Sequence, residues 1–175
     1  MQNETTADNI MARFERWMLE PLKKDLADQN RRQFATFVLL SVAIDNLASM
    51  RYSYELPDRV KGNVKKRYQK FIENYFPTKY RKHAAVLYTG FRCQLVHAFQ
   101  SKGVDLQQEE ESRKHHLGRL RSGNICLNAS EFFNDLVGAF EKYKGELAGP
   151  SADPKIVAAL ERAGYKPWVH TTVSA

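Results

Sequence analysis

Apolar residues recur along most of the chain at the three- and four-residue spacing typical of amphipathic helices. Proline is expected to kink or split the first helix at Pro21 and to end the third at Pro77, because it cannot continue the hydrogen-bond ladder. The second helix is apolar nearly all round and is expected at the centre of the fold. The pattern predicts an all-α protein with helices over about residues 8–29, 32–52, 58–76, 79–101, 130–147 and 154–163.

A polar, charged segment over residues 103–128 interrupts this helical pattern. It contains two short apolar runs, Val104–Leu106 and Ile125–Leu127, with turn residues at Gly118 and Ser122–Asn124. These features predict a small β-hairpin-like excursion. We expect residues 1–175 to form a single domain with this excursion and an extended tail over residues 165–175.

Composition and charge narrow the class of protein. Hydrophobic residues make up 43% of the 175 residues, which excludes a disordered tail, and the net charge of +7 favours an anionic partner. Cys93 and Cys126 form neither a zinc motif nor a disulfide framework. We expect a cytoplasmic protein without metal or cofactor. The apolar run 34–50 is short and broken by Asp45 and Asn46, so it predicts a buried helix and no membrane span.

Basic residues dominate the third helix and the loop after it, with nine Lys or Arg between residues 59 and 82 against the single acid Glu73. Each phosphate contact on such a surface adds salt-sensitive, sequence-independent affinity. A solvated helix face explains the same pattern equally well, and the sequence leaves both interpretations open. Aromatic residues nearby, Tyr75, Phe76 and Tyr80, are expected in the core rather than on bases. The candidate RNA-binding residues are Lys61, Lys65, Lys66, Arg67 and Lys70.

The fourth helix carries the stretch FRCQLVHAF at residues 91–99. At about 100° per residue, its core face contains Ala84, Leu87, Tyr88, Phe91, Leu95, Ala98 and Phe99. A second stripe of small or apolar residues, Val86, Gly90, Cys93 and His97, falls on roughly the opposite side. Such a stripe is expected either between two layers of the fold or against another chain, where Gly90 and Cys93 would allow a close approach.

Arg92 and His97 are the candidate catalytic residues of this helix. Histidine can take a proton from a ribose hydroxyl or give one to a leaving oxygen, and arginine can stabilise the charge that develops on phosphorus. Their spacing alone carries little information, and a core histidine bonded to a carbonyl is the structural alternative. Asp45, the one acid in the apolar second helix, is open to three interpretations: it acts as a cap, it faces solvent, or it is buried and pairs with Arg92 or His97, since a buried acid needs a partner.

The stretch YFPTKYRKHAAVLYTGFRCQLVHAFQSKG resembles the HEPN superfamily, in which Arg-x-x-x-x-His lies on such a helix. The resemblance extends over about residues 30–147. It implies an up-and-down helical bundle and a homodimer through the helix that carries Gly90, Cys93 and His97. It also implies a metal-independent endoribonuclease, often a toxin or defence effector, with Arg92 and His97 as the motif residues.

One position departs from the family pattern. Cys93 follows the motif arginine, where the family usually has Asn, Asp or His, and a thiol is a weak hydrogen-bond donor. We keep Cys93 and Asp45 as candidate orienting residues. The departure motivates an alternative, a non-catalytic HEPN-like dimeric binding or regulatory module. A third hypothesis is a helical scaffold with a fortuitous motif, in which His97 would be packed inside the core.

Overall fold

The computed structural model describes residues 6–28, 33–98, 100–148 and 153–162, and the protein is mostly helical. The predicted extended tail at 165–175 lies outside the described residues. The α-helices are α1 (Thr6–Phe14), α2 (Glu20–Ala27), α3 (Gln33–Tyr52), α4 (Asn63–Tyr75), α5 (Ala84–Val86), α6 (Gln94–Ala98), α7 (Ala129–Ala148) and α8 (Pro154–Arg162). The two strands are β1 (Val104–Gln107) and β2 (Ile125–Asn128).

The predicted first helix is divided into two α-helices near Pro21, and the turn that joins them is also helical. A π-helical turn, Glu15–Leu19, joins α1 to α2, and the Glu20 N–H donates to the Glu15 carbonyl five residues earlier. Pro21 then falls in the first turn of α2. Because the residues before it are helical as well, the missing N–H of Pro21 interrupts the hydrogen-bond ladder, and the irregular π-helical turn lies directly before this interruption.

Helix α3 lies at the centre of the fold, as its apolar composition predicts. It packs against α2, α4 and α7, and Leu40, Ala43, Ile44 and Leu47 are fully buried. The segment Phe34–Tyr52 is long and apolar enough to cross a membrane by length and composition, but half of its most apolar window is buried inside the protein. Burial of this kind is what a core helix requires.

Helix α4 begins later than the sequence pattern predicts. Residues 57–62 form turns instead, and Gly62 precedes the helix at a φ of +88°, a left-handed conformation that favours glycine. Lys61 therefore lies on a turn and not on the helix. The helix ends at Tyr75, just before Pro77, and a 3₁₀ helix (Thr78–His83) follows.

The predicted fourth helix is continuous but irregular. After the 3₁₀ helix and α5, residues Leu87–Cys93 form a second π-helical turn, and α6 completes the segment. Leu87, Phe91 and Leu95 are fully buried, which confirms the predicted core face at these positions. Ala98, assigned to the same face, is exposed, and Phe99 lies outside the described residues.

The excursion contains two strands, but the predicted hairpin pairing is wrong. β1 and β2 run parallel, with Val104 opposite Ile125 and Gln107 opposite Asn128. A 3₁₀ helix, Glu110–His115, forms part of the connection, which brings the chain back so that β2 starts beside the start of β1. A tight antiparallel turn forms only later, where Arg119 bridges to Ile125.

Helix α7 follows β2 directly. Its N-terminus is capped by Asn128, whose Oδ1 accepts the Glu131 N–H at 3.1 Å. Its buried face joins an aromatic core in which Phe132 packs edge-on against Phe91, with 5.6 Å between the ring centroids. This packing fixes the fourth helical segment against the centre of the fold.

Candidate functional site

Arg92 forms an ion pair with Asp45 that joins the second π-helical turn to α3. Arg92 Nε donates to Asp45 Oδ2 at 2.8 Å, and Nη2 donates to the same oxygen. The two side chains are 18% and 25% exposed, so both remain partly accessible. Of the five N–H donors of a guanidinium, three do not bind Asp45, and the Cys93 side chain lies within reach of this guanidinium. The expectation that Asp45 would pair with Arg92 or His97 is confirmed for Arg92.

The Arg92–Asp45 pair lies against aromatic rings. The Arg92 guanidinium carbon is 5.7 Å from the centroid of the Tyr88 ring, which in turn packs edge-on against Tyr68 at 5.5 Å. Burial alone would lower the pKa of Arg92, but the hydrogen bond and charge of Asp45 outweigh it and raise that pKa. Arg92 is therefore held as a permanent cation in a fixed position.

Two buried hydroxyls lie close to this pair. Ser41 and Tyr68 are both fully buried, and their hydroxyl groups are near enough to interact with each other. Burial, followed by the charge of Asp45, raises the pKa of Tyr68, so its phenol stays protonated. The buried side of the pair has a lower dielectric constant than water, which strengthens the attraction between Arg92 and Asp45 relative to a pair in open water.

His97 lies in the last turn of α6 and is exposed to solvent. This exposure excludes the hypothesis that His97 is packed inside the core. Its imidazole is accessible to a ligand and to proton exchange, whereas Arg92 turns toward α3. A ligand that touches both side chains has to lie across the end of α6 and the Arg92–Asp45 pair.

Cys93 is a half-buried free thiol beside the Tyr88 hydroxyl. Burial, followed by the interaction with Cys93 and the hydrogen bond between the two groups, raises the pKa of Tyr88. Cys93 therefore contacts the aromatic side of the site. Its candidate role in orienting a phosphate stays a prediction.

Gly90 is covered by the chain itself. The Lys102 N–H donates to the Gly90 carbonyl at 2.8 Å, and a Cβ at Gly90 would lie 1.9 Å from the Lys102 carbonyl oxygen. The glycine thus permits a close crossing of residues just before β1. The expectation that Gly90 faces a second copy does not fit this contact. Homodimerisation itself stays a prediction, for which Cys93 and the exposed His97 remain accessible.

The predicted basic surface divides into two groups. Arg67 is 4% exposed, donates to the Leu56 carbonyl at 2.7 Å and pairs with Asp58, so its assignment to RNA binding is wrong because its guanidinium holds the loop before α4. Lys70 pairs with Glu55 at 2.6 Å. The remaining predicted lysines, Lys61, Lys65 and Lys66, are exposed and make no ion pair within the described ranges. The same holds for Arg59, which was not among the candidate RNA-binding residues. The basic patch therefore consists of Arg59, Lys61, Lys65 and Lys66.

A buried polar cluster that sequence reasoning missed holds the excursion against the helices. His116 Nδ1 accepts the Asn128 N–H at 3.1 Å, and its Nε2 lies 2.7 Å from the Tyr80 hydroxyl, which donates to Asp135 at 2.9 Å. Lys79 also pairs with Asp135, at 2.9 Å. Burial, followed by the charge of Lys79, lowers the pKa of His116 to about 4. No sequence spacing indicates this cluster, because its members come from four separate segments.

Other candidate ligands do not converge on a site. No group of three or more His, Cys, Asp or Glu side chains suited to a metal ion occurs in the part of the chain that the structure describes. Tyr75, Phe76 and Tyr80 are buried in the aromatic core, as expected. The chain is therefore a mostly helical protein with an arginine–aspartate pair, an exposed histidine on the same helical segment as the arginine, and a separate basic patch. Comparisons with family models, curated proteins and solved structures find no match.

Proposed function

We propose that this protein is a cytoplasmic, RNA-binding, metal-independent endoribonuclease of the HEPN type, with its helices in an up-and-down arrangement. The observation that carries the proposal is the Arg92–Asp45 pair, which holds a permanent cation near an exposed histidine on the same helical segment. The basic patch supports the RNA-binding part, since its four side chains have no ion-pair partner in the described residues. A role as a toxin or defence effector follows from the resemblance alone.

In this mechanism, the RNA supplies its own nucleophile. His97 takes the proton from a ribose 2′-hydroxyl or gives one to the leaving 5′-oxygen. Arg92 uses the donors that Asp45 leaves unoccupied to bind the phosphate oxygens and to stabilise the charge of the transition state. Asp45 is a positioning residue, because it acts through Arg92. The products are a 2′,3′-cyclic phosphate and a 5′-hydroxyl.

The test is cleavage of RNA by purified protein in EDTA, with the ends of the products identified. We expect cyclic-phosphate ends and a loss of about 100-fold or more in rate for His97→Ala, the usual contribution of a positioned acid–base group. His115→Ala is the matched control, since His115 is also an exposed histidine. Cleavage that survives His97→Ala unchanged would exclude the assignment.

The second candidate is a non-catalytic dimeric binding or regulatory module of the same type. One observation favours it: the Cys93 thiol, at the position after the motif arginine, contacts Tyr88. It predicts RNA binding without turnover, and a sizing profile or stability that changes in Arg92→Ala and His97→Ala. Multiple-turnover cleavage by the wild-type protein would rule it out.

A further inference from the structure

The loop between α3 and α4 presents one aromatic ring to solvent. Tyr54 is 59% exposed, and its side chain makes no ring contact, hydrogen bond or ion pair among the described residues. Tyr52 behaves differently: it is buried, and the charged groups of Arg51 and Lys70 lie 4.6 Å and 4.5 Å from its ring centroid. Single exposed aromatic residues are common on proteins, so the surroundings of Tyr54 have to decide its role.

The backbone around Tyr54 is fixed by three contacts with α4. Glu55 Oε2 accepts from Lys70 Nζ at 2.6 Å, and the Leu56 carbonyl accepts from Arg67 at 2.7 Å. The Asn63 side chain donates to the Pro57 carbonyl at 3.0 Å. Tyr54 therefore projects from an anchored loop, and a ligand that stacks on its ring has little backbone entropy to remove.

One residue of the basic patch, Lys66, lies on the face of α4 that the loop carrying Tyr54 contacts. Lys66 lies four residues before Lys70 on α4, on nearly the same face and about 6 Å along the axis from the lysine that binds Glu55. The two acids of the loop, Glu55 and Asp58, are each already paired with a cation. The charges of the basic patch are therefore uncompensated, and the same loop and helix present an exposed ring, a combination that fits a phosphate backbone with accessible bases.

We propose that Tyr54 is a stacking platform for an unpaired base of single-stranded RNA, whose phosphates contact the basic patch. The inference rests on the proposed RNA binding and specifies the form of the RNA. Bases in a duplex stack on one another and present only their edges, so a side-chain ring cannot lie on their faces without opening the helix. The basic patch alone would not distinguish single strands from duplexes, whereas Tyr54 does.

The test compares affinities for a fluorescent single-stranded RNA and for the duplex of the same sequence, measured by anisotropy. We expect Tyr54→Ala to weaken single-strand binding roughly 5-fold to 100-fold, the loss of one base–aromatic stack, and to leave duplex binding unchanged. Tyr54→Phe keeps the ring and should bind like the wild type. Trp17→Ala is the matched control, because Trp17 is another exposed aromatic residue, at 62%.

Three outcomes would overturn the inference. In the first, Tyr54→Ala binds the single strand as tightly as the wild type, while Lys65→Gln/Lys66→Gln binds it more weakly. This result excludes stacking and leaves the proposed RNA binding intact. An equal loss on single strand and duplex also excludes stacking, since it indicates a change in the loop or in the phosphate contacts. Wild-type protein that binds neither RNA overturns both the inference and the proposed function.

Discussion

The geometry of the candidate site depends on a single carboxylate. Asp45 accepts both Arg92 donors on one oxygen, and the pair is only partly accessible to water. Removing one partner of such a pair leaves the other charge without compensation, which costs more than losing a pair on the open surface. Asp45 therefore stabilises the fold and positions Arg92 at the same time.

Replacement of Asp45 should cost more stability than replacement of the acid in an exposed ion pair. We expect Asp45→Asn to lower the free energy of unfolding by about 1.5–3 kcal/mol, because Arg92 loses a charged hydrogen-bond partner. The control is Glu55→Gln, in a pair with Lys70 whose side chains are 43% and 42% exposed, with an expected loss below about 1 kcal/mol. Urea denaturation measures both. Equal losses would contradict the structural role of Asp45.

A second polar residue, His116, predicts how stability responds to pH. Its Nδ1 accepts a backbone N–H from Asn128, so its neutral form is required, and its side chain is 3% exposed. Burial and Lys79 lower its pKa to about 4, against the opposing influence of Asp135 and Glu131. The unfolded chain, with an ordinary histidine pKa, binds the extra proton between about pH 6.5 and 4.

Stability should therefore fall as the pH drops through this window. A shift of this size lowers the free energy of unfolding by up to about 3 kcal/mol as the pH falls from about 6.5 to 4, because protonation is disfavoured only in the folded state. His116→Gln is expected to unfold more easily at pH 7 but to show a smaller decrease between pH 7 and 4, measured by urea titration. The same decrease in both proteins would show that His116 does not titrate as proposed.

At the scale of elements, the irregular fourth helical segment explains where sequence reasoning succeeds and fails. The buried positions Leu87, Phe91 and Leu95 follow from helical spacing, because burial favours the same positions in spite of modest changes in helix type. On the opposite stripe, Val86 and Gly90 also lie together, and both are covered by the backbone at Lys102 and Gly103, which fits the expectation of a stripe between two layers of the fold. The helical pattern does not predict which segment covers Gly90. Its true neighbour, Lys102, comes from a crossing that no local pattern specifies.

The crossing predicts an unusually large cost for a methyl group at Gly90. Gly90→Ala should lower the free energy of unfolding by about 1–3 kcal/mol, because the Cβ would overlap the Lys102 carbonyl and displace the backbone before β1. The matched controls are Gly138→Ala and Gly145→Ala on α7, where nothing lies within 4 Å. Alanine should raise stability there by about 0.5–1 kcal/mol through its helix propensity. Thermal denaturation compares them, and a neutral Gly90→Ala would contradict the crossing.

The excursion shows a second limit of sequence reasoning. The apolar runs at β1 and β2 correctly indicate strands, since Val104 and Ile125 are buried in the core. Their relative direction depends on the connection between them, and the hydrogen bonds of Asn128 and His116 that position this connection involve partners distant in sequence. Composition and spacing predict that the strands exist, whereas their parallel pairing is decided by tertiary contacts.

At the scale of the whole molecule, the net charge and the positions of the charges make different predictions about RNA affinity. The net charge of +7 attracts any polyanion, but the described ion pairs neutralise many cations locally and leave the basic patch at one end of α4 uncompensated. If RNA binds there, the affinity depends on these side chains and not on total charge. Two variants that lose the same number of charges, one in the basic patch and one elsewhere, distinguish attraction by the basic patch from attraction by the total charge.

The last prediction concerns the salt dependence of RNA binding. Binding to a single strand releases about 0.7 counterions per neutralised phosphate, so replacing three contacting lysines should reduce the slope of log affinity against log salt by about 2. The variant Lys61→Gln/Lys65→Gln/Lys66→Gln tests this by anisotropy at several salt concentrations. The control removes the same three charges elsewhere, at exposed positions on α2 and α8, and is Lys23→Gln/Lys24→Gln/Lys155→Gln. Equal slopes in the two variants would mean that total charge, and not the basic patch, attracts the RNA.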